Sequence, residues 1–189
     1  FLMGQKLYLD SEKLQLNDEI APVIKHGTLS IGFIGLAEAL ISMTGKHHAQ
    51  DESSKNLGVE IVSFMRLKID RYCQDYDLNY TLLATPAEGL SGRFIALDRS
   101  SFGVIEGVTD KNYYTNSYHV PVGYKISSFD KCKIEGVYHK FCNAGHISYV
   151  ELDAPPIHNL EAYEALVRHM SDCDMGYAGI NFPIDECLS

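Results

Sequence analysis

The chain has 189 residues, 46% hydrophobic and 22% charged, the composition of a globular protein of one domain, or at most one and a half, able to bury its own core. A net charge of −9, from 25 acidic against 16 basic residues, argues against a nonspecific nucleic-acid surface, which needs clustered Lys and Arg to displace counterions. No apolar run approaches the roughly 18 residues of a membrane span, and the opening Phe1-Leu2-Met3-Gly4 is not a signal peptide.

A start on Phe1 rather than Met fits a piece trimmed from a longer chain, or plain tag removal. Gly27 to Gly35 reads as a short strand opening through glycines into a helix from Leu36 to about Ser42. His26, His47 and His48 have no partner pattern and are expected at the surface. Ser53 to Cys73 is a longer helix with Leu57, Ile61, Phe64, Met65 and Tyr72 at helical spacing, and Asp51, Ser53 and Ser54 can cap it. A strand follows from Asn79 to Ala84, then a Thr-Pro turn and a helix from Glu88. Tyr113 to Val120 reads as extended, Ser127 to Gly136 as a helix and His146 to Leu152 as a strand. Asn159 caps a helix to about Cys173, and Tyr177 to Phe182 is the last strand.

Strands separated by helices long enough to cross over predict an α/β fold of five largely parallel strands, an open sheet or half of a barrel. Residues 1–189 contain no internal repeat or linker. The five cysteines (73, 132, 142, 173 and 187) are odd in number and irregularly spaced, which reads as reduced thiols in a cytoplasmic protein. Cys73, Cys132 and Cys173 fit small core residues.

Ligands of parallel sheets collect at the carboxyl ends of strands, where loops feed helix N-termini. That rule selects Thr85, Pro86, Ala87, Glu88, Gly89, Leu90 and Ser91, a strand-to-helix turn whose helix directs free N–H groups and a partial positive charge above the strand end. Thr85 and Ser91 can add hydroxyls, so the turn suits a phosphate; an ordinary turn is the alternative. Tyr114 to Pro121 is dense in hydrogen-bonding side chains. Alternation would send Thr115, Ser117 and His119 to one face and Tyr114, Asn116 and Tyr118 to the other. One set can line a polar cavity, or the segment can be a half-exposed edge strand. Cys142 and His146 lie four apart and allow a thiol–imidazole pair, or metal binding with His139, but the intervening Gly145 favours a packing or backbone role.

Five strings in order resemble the large subunit of the anaerobic, glycyl-radical ribonucleoside-triphosphate reductases: Lys25 to Leu36, Ala84 to Ser91, Tyr114 to Pro121, Asn143 to Tyr149, and Gly179 to Pro183. The run from Gly176 to Glu186, followed by Cys187-Leu188-Ser189, also resembles the approach to that family's C-terminal zinc site, cut after its first cysteine. Gly89 and Gly92 depart from the bulkier residues of some members.

The resemblance implies a ten-stranded barrel of two five-stranded halves, with residues 1–189 as a single catalytic-domain fragment, the second half-barrel. It implies conversion of ribonucleoside triphosphates to 2′-deoxyribonucleoside triphosphates. A glycyl radical, installed by an activase using S-adenosylmethionine and an iron–sulfur cluster, generates a thiyl that takes the ribose 3′ hydrogen. Formate or a thiol system supplies the reductant, ATP and dATP act as effectors, and the parent is a homodimer. By this analogy Thr85 to Ser91 hold the substrate phosphates; Asn116, Ser117, His119 and His146 are the candidate pocket-lining residues. Cys187 is the first zinc ligand of an incomplete site; the thiyl cysteine and radical glycine lie outside the chain, which alone is expected to be inactive. A half-barrel is also expected to dimerise or aggregate through its uncovered apolar surface. The rivals are another glycyl-radical enzyme, formate-lyase-like, and a standalone ligand-binding α/β domain.

Overall fold

In the computed structural model, which describes residues 1, 4–7, 10–15, 17–25 and 27–182, a short helix α1, Ala21–Ile24, precedes strand β1, Thr28–Phe33. Gly35 then takes φ 79, a left-handed conformation that suits glycine, and turns the chain into helix α2, Leu36–Thr44. Helix α3, Glu52–Tyr76, starts at Asp51, whose side chain accepts the Ser53 N–H at 3.4 Å. Ser54, Gly58, Val62 and Ile69 form its buried stripe. Gly58 is small for a reason: a Cβ there would sit 2.6 Å from the Tyr138 hydroxyl.

Strand β2, Asn79–Ala84, returns beside β1 in parallel, from Thr28 opposite Asn79 to Phe33 opposite Ala84. Helix α4, Glu88–Phe102, and helix α5, Ser128–His139, follow, the latter capped by Ser127 accepting the Asp130 N–H at 3.0 Å. Strand β3, Ser148–Glu151, helix α6, Leu160–Asp172, and strand β4, Ala178–Asn181, complete the order, with β4 parallel to β3. The β1–β2 and β3–β4 pairs are joined where Gly145, just before β3, forms a parallel bridge to Leu83. There the Ala84 N–H donates to the Gly145 carbonyl at 3.0 Å and the Ala144 N–H to the Leu82 carbonyl at 2.9 Å.

The parallel α/β architecture expected from the sequence is therefore present. One core packs α2, α3 and β2 around Leu40, Val62, Leu82, Tyr118 and Tyr138; a second joins α5, β3 and α6 through Cys132, Val150, Leu166 and Met170. Apolar side chains also remain exposed on β1 (Leu29, Ile31) and on α4 (Phe94, Leu97, Phe102).

Two local expectations are corrected. Tyr113 to Val120 is not a strand: it makes one antiparallel bridge, Asn116 to Ile34, and then turns at Ser117, where φ is 40. The reason is a competing partner. The buried Glu38 carboxylate accepts the Thr115 hydroxyl at 2.6 Å, the Thr115 N–H at 3.2 Å and the Lys111 ammonium at 2.6 Å, drawing the segment onto α2. His47 and His48 are buried rather than exposed, at 4% and 1%. The chain reverses at Gly45 (φ 83) between two packed helices, tucking His47 edge-on to Tyr124 and His48 edge-on to Tyr138. His26 lies outside the described residues.

Candidate functional site

β2 ends at Ala84, and Thr85, Pro86 and Ala87 carry the chain into α4. The start of α4 has no side-chain cap, so its first-turn amides stand at the positive end of the helix dipole. Three contacts shape this turn. The Ala87 N–H donates to the Asn116 side-chain oxygen at 3.2 Å, the Ser91 hydroxyl donates to the Glu88 carbonyl at 2.9 Å, and the Ser91 carbonyl accepts the Tyr114 N–H at 3.4 Å. Thr85 lies against Gly32 of β1, where a Cβ would come within 1.9 Å of the threonine Oγ1. A neighbouring strand without a side chain is thus a condition for the placement of Thr85.

A cavity of about 320 Å³ opens above the end of β2. Thr85, Pro86, Ala87, Glu88 and Ser91 form one side. Tyr113, Tyr114, Thr115, Asn116 and His119 form the second, and Lys131, Tyr149 and Glu151 contribute to the third. The volume is within the range of small-molecule sites.

Several of these side chains are held in fixed roles. The His119 Nδ1 lies 3.0 Å from the Asn116 carbonyl and 3.1 Å from the Ser117 hydroxyl oxygen, and its ring stacks on Tyr118 at 5.2 Å. An N–H donated to that carbonyl leaves Nε2 as the ring nitrogen available to a ligand. The Tyr114 hydroxyl donates to Asp98 at 2.7 Å; burial, reinforced by that carboxylate, pushes its pKa up to about 12, so it remains a neutral donor. Lys131 donates to the Tyr149 carbonyl at 2.5 Å and to Glu151 at 3.1 Å.

The other residues named from the sequence fall elsewhere. Gly89 and Leu90 do not line the cavity, and Leu90 is exposed. Ser117 is buried behind His119. The His146 Nδ1 lies 2.8 Å from the Cys142 carbonyl, and its ring packs 4.4 Å from His139. Burial pushes the Cys142 thiol up to about 12, keeping it protonated near neutrality and unsuited to attack. His139 accepts the Gly176 N–H at Nδ1 and faces the Ser148 hydroxyl with Nε2, and burial followed by the nearby His146 lowers its pKa to about 4. Cys142 and His146 thus meet through backbone and packing, without a thiol–imidazole contact. Cys187 lies outside the described residues, and among the described residues no group of three or more His, Cys, Asp and Glu could hold a metal ion.

Sequence reasoning missed Lys131, Tyr149 and Glu151. Period-2 alternation already puts Tyr149 and Glu151 on one face of β3. What it could not supply was that this face looks toward the turn after β2. The assembled cavity offers amide donors and an ammonium for an anion, Asn116 and His119 for hydroxyl groups, and an aromatic wall.

The family model for anaerobic ribonucleoside-triphosphate reductase matches residues 1–189. The chain is 38% identical over 179 residues to the anaerobic ribonucleoside-triphosphate reductase of Escherichia coli (strain K12), covering 93% of this chain and 25% of that protein. It is 34% identical over 179 residues to the enzyme of Enterobacteria phage T4, covering 94% and 28%. The Thermotoga maritima anaerobic ribonucleotide reductase, solved with dATP bound in the specificity site, superposes with a TM-score of 0.75 over 99% of this chain and 30% of its own, at 18% identity. The chain spans about a quarter of the length of the curated relatives it matches.

Proposed function

The chain belongs to the anaerobic ribonucleoside-triphosphate reductase family, and from that premise we propose that the cavity at the end of β2 receives the ribonucleoside triphosphate substrate. The observation that carries this reading is convergence. The Thr85–Ser91 turn and the Tyr113–His119 segment, separated by α4 and a loop, meet at one cavity through the Asn116 to Ala87 hydrogen bond.

The first-turn amides of α4 take phosphate oxygens, with the Thr85 hydroxyl beside them and Glu88 turned to the helix dipole. Asn116 and His119 hydrogen-bond the ribose. The described cavity residues bind and orient; the radical-forming groups come from other parts of the natural polypeptide. Residues 1–189 thus form one half-barrel of the catalytic domain, inactive alone, in an enzyme that makes 2′-deoxyribonucleoside triphosphates for DNA replication. Family membership supports the remaining readings: a glycyl radical installed by a radical activase, formate or a thiol as reductant, a homodimer, and a cytoplasmic location. A specificity site holding dATP in the Thermotoga maritima relative supports nucleotide effectors. No helix among the described residues is long and apolar enough to cross a membrane. Cys187 carries a zinc-ligand role by resemblance alone, and no step depends on it.

The test is titration of the natural polypeptide with a ribonucleoside triphosphate and the matching nucleoside, repeated with Thr85→Ala and Asn116→Ala. Phosphate-dependent binding that weakens in both variants is expected. Unchanged affinity in both would place the phosphates elsewhere.

A further inference from the structure

Tyr149 is a large aromatic residue in the cavity wall, and its placement is built in. In the β3–β4 pair its partner is Gly179, and a Cβ on Gly179 would stand 3.0 Å from the Tyr149 ring carbons Cδ1 and Cε1. The ring therefore lies across the strand pair over a bare backbone, a position that a side chain on β4 would crowd. Its backbone is fixed too, because Lys131 donates to the Tyr149 carbonyl and to Glu151. With 38% of its surface open, the ring presents area to the cavity instead of filling the core.

We propose that Tyr149 is the platform on which the nucleobase of the substrate stacks; this rests on the reading of the cavity as the ribonucleoside triphosphate site. The cavity takes polar groups from the Thr85–Ser91 turn, Asn116 and His119, while Val122, Ile147 and the Tyr149 ring supply apolar surface beside the Lys131–Glu151 pair. A nucleotide carries matching groups: phosphates and ribose for the polar residues, and a flat base for the aromatic ring. Every base has a π-face, so stacking holds purines and pyrimidines alike without reading their edges. Tyr149 therefore selects nucleotides over sugar phosphates while leaving the four bases nearly equivalent at this wall.

The experiment is equilibrium binding to the natural polypeptide, without radical activation, of four ribonucleoside triphosphates and of inorganic triphosphate. Wild type is compared with Tyr149→Ala, Tyr149→Leu and Tyr149→Phe. Losing a base–aromatic stack weakens binding on the order of tenfold. That loss is expected for all four nucleotides in the Ala and Leu variants, while Phe stays near wild type and inorganic triphosphate binds all variants equally. Nucleotide affinity unchanged in Tyr149→Ala overturns the platform. So does a parallel loss of inorganic triphosphate, which would show that the residue only supports the fold. Should wild type fail to bind inorganic triphosphate, the phosphate turn is at fault, and the nucleotide series still decides Tyr149 by the same criterion.

Discussion

Replacing Gly32 with alanine tests whether β1 truly sets the position of Thr85. The new Cβ would approach the Thr85 Oγ1 to 1.9 Å and its Cβ to 3.3 Å, more than 1 Å inside the 3.0 Å that real Cβ atoms keep. Thr85 must leave its rotamer or the β1–β2 register must widen, and although Gly32 is exposed, forcing a methyl against that side chain costs about 1–3 kcal/mol. Against this, Gly to Ala in a strand interior by itself stabilises by roughly 0.5–1 kcal/mol. The net loss in the wild-type background is then about 1 kcal/mol, with weaker nucleotide binding because the hydroxyl has moved. In a Thr85→Ala background the clashing oxygen is gone and only the 3.3 Å contact remains. There Gly32→Ala becomes neutral or mildly stabilising, and the double-mutant coupling reaches about 1–3 kcal/mol. Chemical denaturation of the four proteins, with nucleotide titration alongside, measures the cycle. Equal costs in both backgrounds, to within about 0.5 kcal/mol, would refute the account.

Glu38→Ala strands the Thr115 donors and Lys111 and should cost about 2–3 kcal/mol in denaturation while loosening nucleotide binding, because the Asn116 segment loses its anchor. Gly136→Ala inverts a simple propensity argument. An interior helical glycine should gain about 1 kcal/mol as alanine, but here the Cβ would lie 2.2 Å from the Cys173 carbonyl oxygen, so a loss of about 3 kcal/mol is expected by thermal or chemical unfolding. Burial lowers the His48 pKa to about 4. Its unfolded form binds a proton between about pH 6.5 and 4 that the folded form refuses. Its contribution is thus fully present above that window and falls with pH through it, by up to about 3 kcal/mol. His48→Phe should remove His48's share of this acid limb in pH-dependent denaturation, leaving the share of His139; an unchanged limb would assign it to other groups.

Elements with a strong local signal were legible from the sequence. Asp51 before α3, Asn159 before α6 and the glycine after β1 fix their boundaries by capping or backbone freedom, and the structure places them within a few residues of the expected positions. Tyr113 to Val120 was misread because its composition matches a polar strand. Its conformation is decided by Glu38, about 75 residues away in sequence, and no local pattern carries that information. The same limit explains His47 and His48. A pair of histidines after a helix reads as solvent-facing until the packing of α2 against α3 closes over them.

The candidate site divides along the same line. Its strand-to-helix turn could be read locally, because a strand end, a proline and a helix start are adjacent in the chain. Its remaining walls depend on contacts that sequence neighbours do not share. The Asn116 side chain reaches back to Ala87, and Lys131 on α5 holds the backbone of β3. Gly32 and Gly179, in different strand pairs, each leave the space that a cavity-lining side chain occupies, Thr85 just past the end of β2 and Tyr149 on β3. These two glycines perform the same task for two different cavity-lining residues: a Cβ at Gly32 would displace the Thr85 hydroxyl, and one at Gly179 would press on the Tyr149 ring. The cavity therefore presents a ligand with two separable features, the amide donors of the turn and the face of the Tyr149 ring, the latter beside Lys131 and Glu151. Substitutions at Gly32 and Gly179 should accordingly weaken different parts of the same molecule: Gly32→Ala should reduce affinity for inorganic triphosphate, and Gly179→Ala should reduce affinity for the nucleotide while sparing inorganic triphosphate.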